Sequence, residues 1–207
     1  MSIYRCMVLS MALAFTGIPV YAAEPVKQVV QAEKVFVTKV FFSENGKSAG
    51  VVLNDAVEID EISVNKVSGS VNLKFPVYIS KAGKEYPQVS VTDRGLLKRI
   101  EDAVSTKNVV PREKVERLSC KITKFRVYTG RKGVKLSVTA QVTINNAVVI
   151  ECKIRDGKNG PWISWPARPP KDGKKWVKQV RFYDKELSEG IEQLLIKRFN
   201  EVKKEEG

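Results

Sequence analysis

Histidine is absent from all 207 residues, and cysteine occupies only three positions, with no Cys-x-x-Cys spacing. These two shortages exclude the usual zinc sites and the Cys-His and Ser-His nucleophile pairs. No Gly-x-x-x-x-Gly-Lys phosphate loop occurs, and no Gly-x-Gly-x-x-Gly follows a strand pattern. Asp and Glu are scattered without a spacing that marks a paired-carboxylate site. The expectation is a protein that is not an enzyme and carries no cofactor.

A long hydrophobic run is missing too. Met7 to Ile18 is apolar but too short and too interrupted at Gly17 for a comfortable membrane span. With Arg5 before it and Val20-Tyr21-Ala22 after it, residues 1–22 have the three parts of an export signal, cleaved after Ala22 or Ala23. Cys6 precedes the apolar stretch, unlike a lipid-attachment cysteine. The mature chain then keeps Cys120 and Cys152, which are free to pair in an oxidising compartment or to stay as buried thiols. The expected location is outside the cytoplasm, in the periplasm.

What the sequence does hold is apolar content of 43%, enough for a core, and a formal charge of +13 with a pI near 9.6. Such a balance favours polyanions: nucleic acid, acidic glycans or anionic membrane surfaces.

Alternating apolar residues and turn signals predict short strands. Residues 23–34 lack periodicity and serve as a lead-in. Strands follow from Val35 to Phe42, from Ala49 to Leu53, along Val57, Ile59, Ile62 and Val64, and along Val71, Leu73 and Phe75, with turns at Asn45-Gly46, Asn54-Asp55 and Ala82-Gly83. A short strand, Gln88 to Val91, precedes a helix capped by Thr92, with Leu96, Leu97, Ile100, Ala103 and Val104 at helical spacing.

This order then recurs. Ile122-Thr123-Lys124-Phe125 echoes Val37-Thr38-Lys39-Val40, and Asn145-Asn146-Ala147-Val148 echoes Asn54-Asp55-Ala56-Val57. Trp165-Pro166 echoes Phe75-Pro76, Gln179-Val180 echoes Gln88-Val89, and Asp184, Leu187 and Ile191 echo Asp93, Leu96 and Ile100. The last helix, Lys185 to about Lys203, carries an apolar stripe of Leu187, Ile191, Leu194, Leu195, Phe199 and Val202. The expected organisation is a first repeat over 35–104, a polar linker over 105–118 and a second repeat over 119–203. Each is a small antiparallel sheet with a C-terminal helix, an α+β fold.

Charge separates the repeats. From Val35 to Val104, nine Lys and Arg meet nine acids; from Arg117 to Phe199, nineteen meet seven, a net of +12. Segregation into one half points to an anion facing that half. The stretch Ala147 to Gly173 is a hairpin turning at Asp156-Gly157-Lys158-Asn159-Gly160, where the glycines supply positive φ. Arg155, Lys158, Arg168, Lys171, Lys174, Lys175, Lys178 and Arg181 flank it as one candidate patch for phosphates, and Trp162, Trp165 or Trp176 can stack on bases where exposed.

The segment Ile122 to Phe199 resembles the SpoVG family of small bacterial septation and sporulation proteins. The resemblance rests on Ile122-Thr123-Lys124-Phe125, on the strand entering Asp156-Gly157-Lys158-Asn159-Gly160, on Trp162-Ile163-Ser164-Trp165-Pro166, on Ala167-Arg168-Pro169-Pro170-Lys171-Asp172-Gly173, and on the helix that follows. It covers about 80 residues, with Arg181-Phe182 where members often have His-Pro. The first repeat is a degenerate copy without the Asp-Gly turn and the basic loop. The resemblance implies a sheet-and-helix unit that pairs as a dimer, here reproduced inside one chain as a pseudo-dimer, and DNA or RNA as ligand. It places Arg168 and Lys171 on the contacting loop. The alternative is an envelope protein that meets anionic lipid, a glycan or a division-site protein.

Overall fold

The computed structural model describes residues 35–67, 70–110, 116–128, 136–169 and 175–205. The expected signal and lead-in, 1–34, lie outside them. Two pairs of polar residues set the framework. Asn54 and Asp55 take left-handed backbone angles (φ 48° and 53°), as do Asn145 and Asn146 (44° and 54°). Asn and Asp tolerate that region because their short side chains can bond to nearby backbone. The turns close through Ala56 N to Leu53 O at 2.9 Å and Ala147 N to Ile144 O at 2.8 Å.

The first turn joins β2 (Ser48–Leu53) to β3 (Val57–Val67), and β1 (Val37–Phe42) lies on the far side of β2. The second joins β9 (Ser137–Ile144) to β10 (Val148–Gly157), with β8 (Cys120–Tyr128) beyond β9. Each outer strand contains one irregular step, between Val37 and Lys39 in β1 and between Ile122 and Lys124 in β8. The extra residue, Thr38 or Thr123, inverts the alternation. In β8 the half-buried residues therefore pass from Ile122 to Phe125 and Val127.

The long middle strands continue into hairpins: β3 to β4 (Ser70–Lys74), and β10 to β11 (Gly160–Ser164). At the second, only Gly160 has positive φ (107°), whereas Gly157 sits where a Cβ would come within 2.8 Å of the Gly160 carbonyl. Gly157 is thus required by close approach rather than by its dihedral. A small second hairpin follows in each half: β5 (Val77–Ile79) with β6 (Glu85–Pro87), and β12 (Ala167–Arg168) with β13 (Val177–Lys178).

The remaining strands cross over. β7 (Val89–Val91) pairs with β10 of the second half through Val91–Val148 and Val89–Ile150. β14 (Val180–Phe182) pairs with β3 of the first half through Phe182–Val57 and Val180–Ile59. The flanking bonds recur in the same places. Gln88 N donates to Pro76 O, and Glu151 N to Gln88 O; Gln179 N donates to Pro166 O, and Asp60 N to Gln179 O. Thr92 N donates to Ala147 O, and Tyr183 N to Ala56 O.

Helix α1 (Arg94–Thr106) begins at Asp93, whose carboxylate accepts from Leu96 N at 2.7 Å. Thr92 is therefore not the cap: its hydroxyl is held by Asn146 O and Ala147 O at the crossing. Helix α2 (Lys185–Glu205) starts the same way, with Asp184 accepting from Leu187 N at 3.0 Å. Its buried face is Leu187, Ile191, Leu195, Phe199 and Val202, while Leu194 is 47% exposed and falls off the expected stripe. One apolar cluster unites Ile59, Ile62, Leu96 and Ile100 with Ile150, Ile154, Ile191 and Phe199. The molecule is α+β, built mostly of antiparallel sheets, with a helix at its C-terminal end.

Candidate polyanion-binding face

Strand register stacks three rows across the side of the β8–β11 sheet that faces away from the core. Lys124, Gln141 and Glu151 form the first; Arg126, Thr139, Lys153 and Ser164 the second; Tyr128, Ser137, Arg155 and Trp162 the third. The opposite side of the same strands carries Val138, Ala140, Cys152 and Ile154, all buried. Alternation on the pleat forces the split, since every apolar residue sent inward sends its neighbour out.

These three rows hold four cations, Lys124, Arg126, Lys153 and Arg155. Among the described residues none of these four has a carboxylate within ion-pair distance. Arg155 lies against the Trp162 ring at 5.8 Å, and Lys153 Nζ stands 4.5 Å from the Tyr78 ring centroid. Glu151 is turned toward Gln141, whose amide donates to it at 3.2 Å. Tyr78 and Tyr86 belong to the β5–β6 hairpin of the first half, and with these rows they line an open cleft of about 400 Å³. Charges close together on one surface raise the local potential and concentrate polyanions there.

The positions expected from the sequence divide. Arg155 is on this face, and Lys158 is exposed at the tip of the β10–β11 hairpin. Lys175 is exposed ahead of β13, and Lys171 and Lys174 lie outside the described residues. Arg168 is committed elsewhere: its Nε donates to Glu61 Oε1 at 2.5 Å, with both side chains largely covered. Arg181 pairs with Glu58, and its Nη1 lies 3.5 Å from Asp60. Of the tryptophans, Trp162 and Trp176 are exposed (48% and 67%), whereas Trp165 packs on Phe182 with ring centroids 4.7 Å apart. Lys124, Arg126 and Lys153 did not enter the expected patch, which followed the loop after the hairpin. Their signal is present as Lys-x-Arg-x-Tyr in β8 and Glu-x-Lys-x-Arg in β10, a polar set at period two.

The acids that hold Arg168 and Arg181 sit on an irregularity of β3. Opposite Gly50, the register slips between Ala49 and Val51, and Glu61 takes φ 57°. That conformation costs a non-glycine residue about 1 kcal/mol, and it turns the Glu61 carboxylate toward Arg168 and Gln179. Glu58, buried, takes Arg181 and the Tyr183 hydroxyl. Burial pushes the Asp60 carboxyl above its ordinary value, against the bond from Glu61 N; the Glu61 charge adds to the rise and Arg168 opposes it.

Cys120 and Cys152 are free. Cys152 aligns with Ala140 and Cys120 with Ile144, two strands and four residues apart. That is roughly 16 Å on sheet geometry, far beyond a disulfide's reach. Among the described residues, no group of three or more Cys, Asp or Glu could hold a metal ion. Comparisons with known protein families, with curated proteins and with solved structures find no match to this chain.

Proposed function

We propose that this protein is an exported, non-enzymatic binder of polyanions, organised as a SpoVG-like tandem pseudo-dimer in which the neutral first half braces a basic second half, with nucleic acid as the ligand. The observation that carries the reading is the set of cations on the β8–β10 face without acidic partners. An ion pair already made gives little to a phosphate, because the carboxylate must first be displaced; a free guanidinium or ammonium gives up only water and counterions. Arg168 and Arg181 are of the first kind; Lys124 and Arg126 are of the second, and Lys153 and Arg155 rest on the Tyr78 and Trp162 rings rather than on carboxylates. The pseudo-dimer is supported by the two crossing pairings. Val57 meets Phe182 as Val148 meets Val91, so one pairing is carried onto the other by a shift of 91 residues (148 − 57 and 182 − 91).

Titrating a fluorescent oligonucleotide at several salt concentrations tests the reading. Affinity is expected to fall steeply as salt rises, with the logarithmic slope reduced by roughly 0.7 for each cation removed if the ligand is single-stranded. Arg126→Ala with Lys153→Ala should therefore flatten the slope by about 1.4, whereas Arg168→Ala should change it little. Binding that ignores salt, or a slope that follows Arg168 rather than the sheet face, would overturn the proposal. Export is tested separately, by sequencing the N-terminus of the protein recovered from the native host's periplasm; Ala23 or Glu24 is the expected first residue.

A further inference from the structure

Charge accounts for the floor of the cleft but not for its roof. Every residue of β6 is exposed, as are Tyr78 and Ile79 of β5. Tyr78 and Tyr86 are 45% and 42% exposed, with ring centroids 6.3 Å apart. An isolated two-stranded hairpin is marginally stable in water, and holding two aromatic rings outside the core forgoes their burial. This hairpin nevertheless stands across the open face of the other half, with Tyr78 above Lys153.

The equivalent hairpin of the second half, β12–β13, makes the matching reach in the opposite direction. Its Arg168 lands on Glu61 of β3. One arm is basic and rests on an acid, so its site is filled from within the chain. The other is aromatic and rests on a basic face whose cations have no acidic partner. Of the two reaches, the aromatic one leaves a cleft open among the described residues.

We infer that this cleft binds one short single-stranded segment of nucleic acid per chain, its phosphates on Arg126, Lys153 and Arg155 and its bases against Tyr78 and Tyr86. The inference rests on the polyanion-binding reading and narrows its ligand from nucleic acid to a single strand. Two features favour a single strand over a duplex. Tyrosine rings can use only base faces that are not already stacked, and such contacts are sequence-tolerant. Successive rows of side chains on one sheet face lie about 6.8 Å apart, twice the 3.4 Å step of a stacked strand, so an unstacked chain can follow them. Glu151, at the inner end, repels phosphate but accepts from an exocyclic base amine.

The experiment is an anisotropy titration of the full chain with a labelled single strand of about eight nucleotides, within the span of one small single-strand-binding fold. The same strand as a duplex, and heparin as a sulfated-glycan competitor, form the other arms. Expected are one strand per chain, binding roughly ten-fold or more tighter than the duplex, and a loss of roughly thirty-fold or more in Tyr78→Ala/Tyr86→Ala, about 1 kcal/mol or more for each ring. The salt slope should be unchanged in that variant, and Tyr78→Phe/Tyr86→Phe should bind as the parent does, which separates ring stacking from misfolding. Equal or tighter binding of duplex or heparin, with the alanine variant unaffected, overturns the single-strand cleft while leaving the polyanion reading intact. Absence of salt-sensitive binding in every arm overturns both.

Discussion

Among the described residues three side chains carry protonation equilibria moved by their surroundings, the Asp60 carboxyl and the Cys120 and Cys152 thiols, and the acid and the thiols respond to pH in different windows. Burial, with the charge of Glu151 beside it, pushes the Cys152 thiol up to about 12. The thiolate is the nucleophile, so Cys152 is inert while folded. Iodoacetamide at mildly alkaline pH, followed by peptide mapping, should modify Cys120 before Cys152, with Cys152 reacting only on unfolding; prompt native labelling of Cys152 would contradict its packing. Asp60 is raised chiefly by burial from a value of 3.8. Its folded pKa therefore exceeds its unfolded one, so the stability it contributes is complete below 3.8 and is lost as pH rises through the folded value. At neutral pH its charge is a cost. Asp60→Asn is expected to raise the melting temperature at neutral pH, with the gain disappearing by about pH 4. A lower melting temperature at neutral pH would mean that the 3.5 Å approach of Arg181 outweighs burial. Neither effect was visible in the sequence, where Asp60 is one of three acids close together and Cys152 is one of two thiols that could have paired. Strand register decides both, and it is set by partners as far off as β14, where Val180 lies 121 positions from Ile59.

Elements were more legible than side-chain partners, because turns and apolar periods are local. The Asn54-Asp55 and Asn145-Asn146 turns, the β10–β11 hairpin and both helices follow from spacing alone. The bulges do not. Thr123 interrupts β8 without any compositional mark, and it sends Lys124 and Arg126 to the open face instead of Thr123 and Phe125. The same displacement explains why the expected site followed the basic loop: without the bulge, the cations of β8 fall on no common row with those of β10. Asn145 shows how much one turn residue can hold. Its Oδ1 accepts from Ser119 N at 2.6 Å and Ser119 Oγ at 2.9 Å, while its backbone is left-handed. Asn145→Ala strips two donors of their acceptor and places a Cβ-bearing residue without a polar side chain at φ 44°. The expected cost is about 2–4 kcal/mol in urea unfolding. Asn145→Gly should cost less, since glycine accepts the dihedral and only the bonds are lost. Equal losses in the two variants would show that the backbone angle contributes nothing.

At the scale of the whole molecule, the two crossing strands decide how the halves share stability. β7 leaves the first half to complete β10, and β14 leaves the second to complete β3. Neither sheet has its full set of strands without the other half, although 119–203 is contiguous in sequence and has a recognisable order of its own. Val180 on β14 is 2% exposed and Ile59 on β3 is fully buried, and the two are register partners. Ile59→Ala opens a cavity in the first half that the second half must feel through this pairing. All three tryptophans, Trp162, Trp165 and Trp176, lie in the second half, Trp165 on Phe182 of β14, so their fluorescence reports that half and its crossing strand, while far-ultraviolet circular dichroism reports both halves throughout. The substitution is expected to destabilise the fold by about 2–5 kcal/mol and to move both transitions to the same lower urea concentration. Independent halves would behave differently: the dichroism curve would split, and the tryptophan transition would stay where it was. A fluorescence midpoint that follows a cavity made in a half containing no tryptophan is the signature of a single cooperative unit, in which the neutral half holds the basic face in shape.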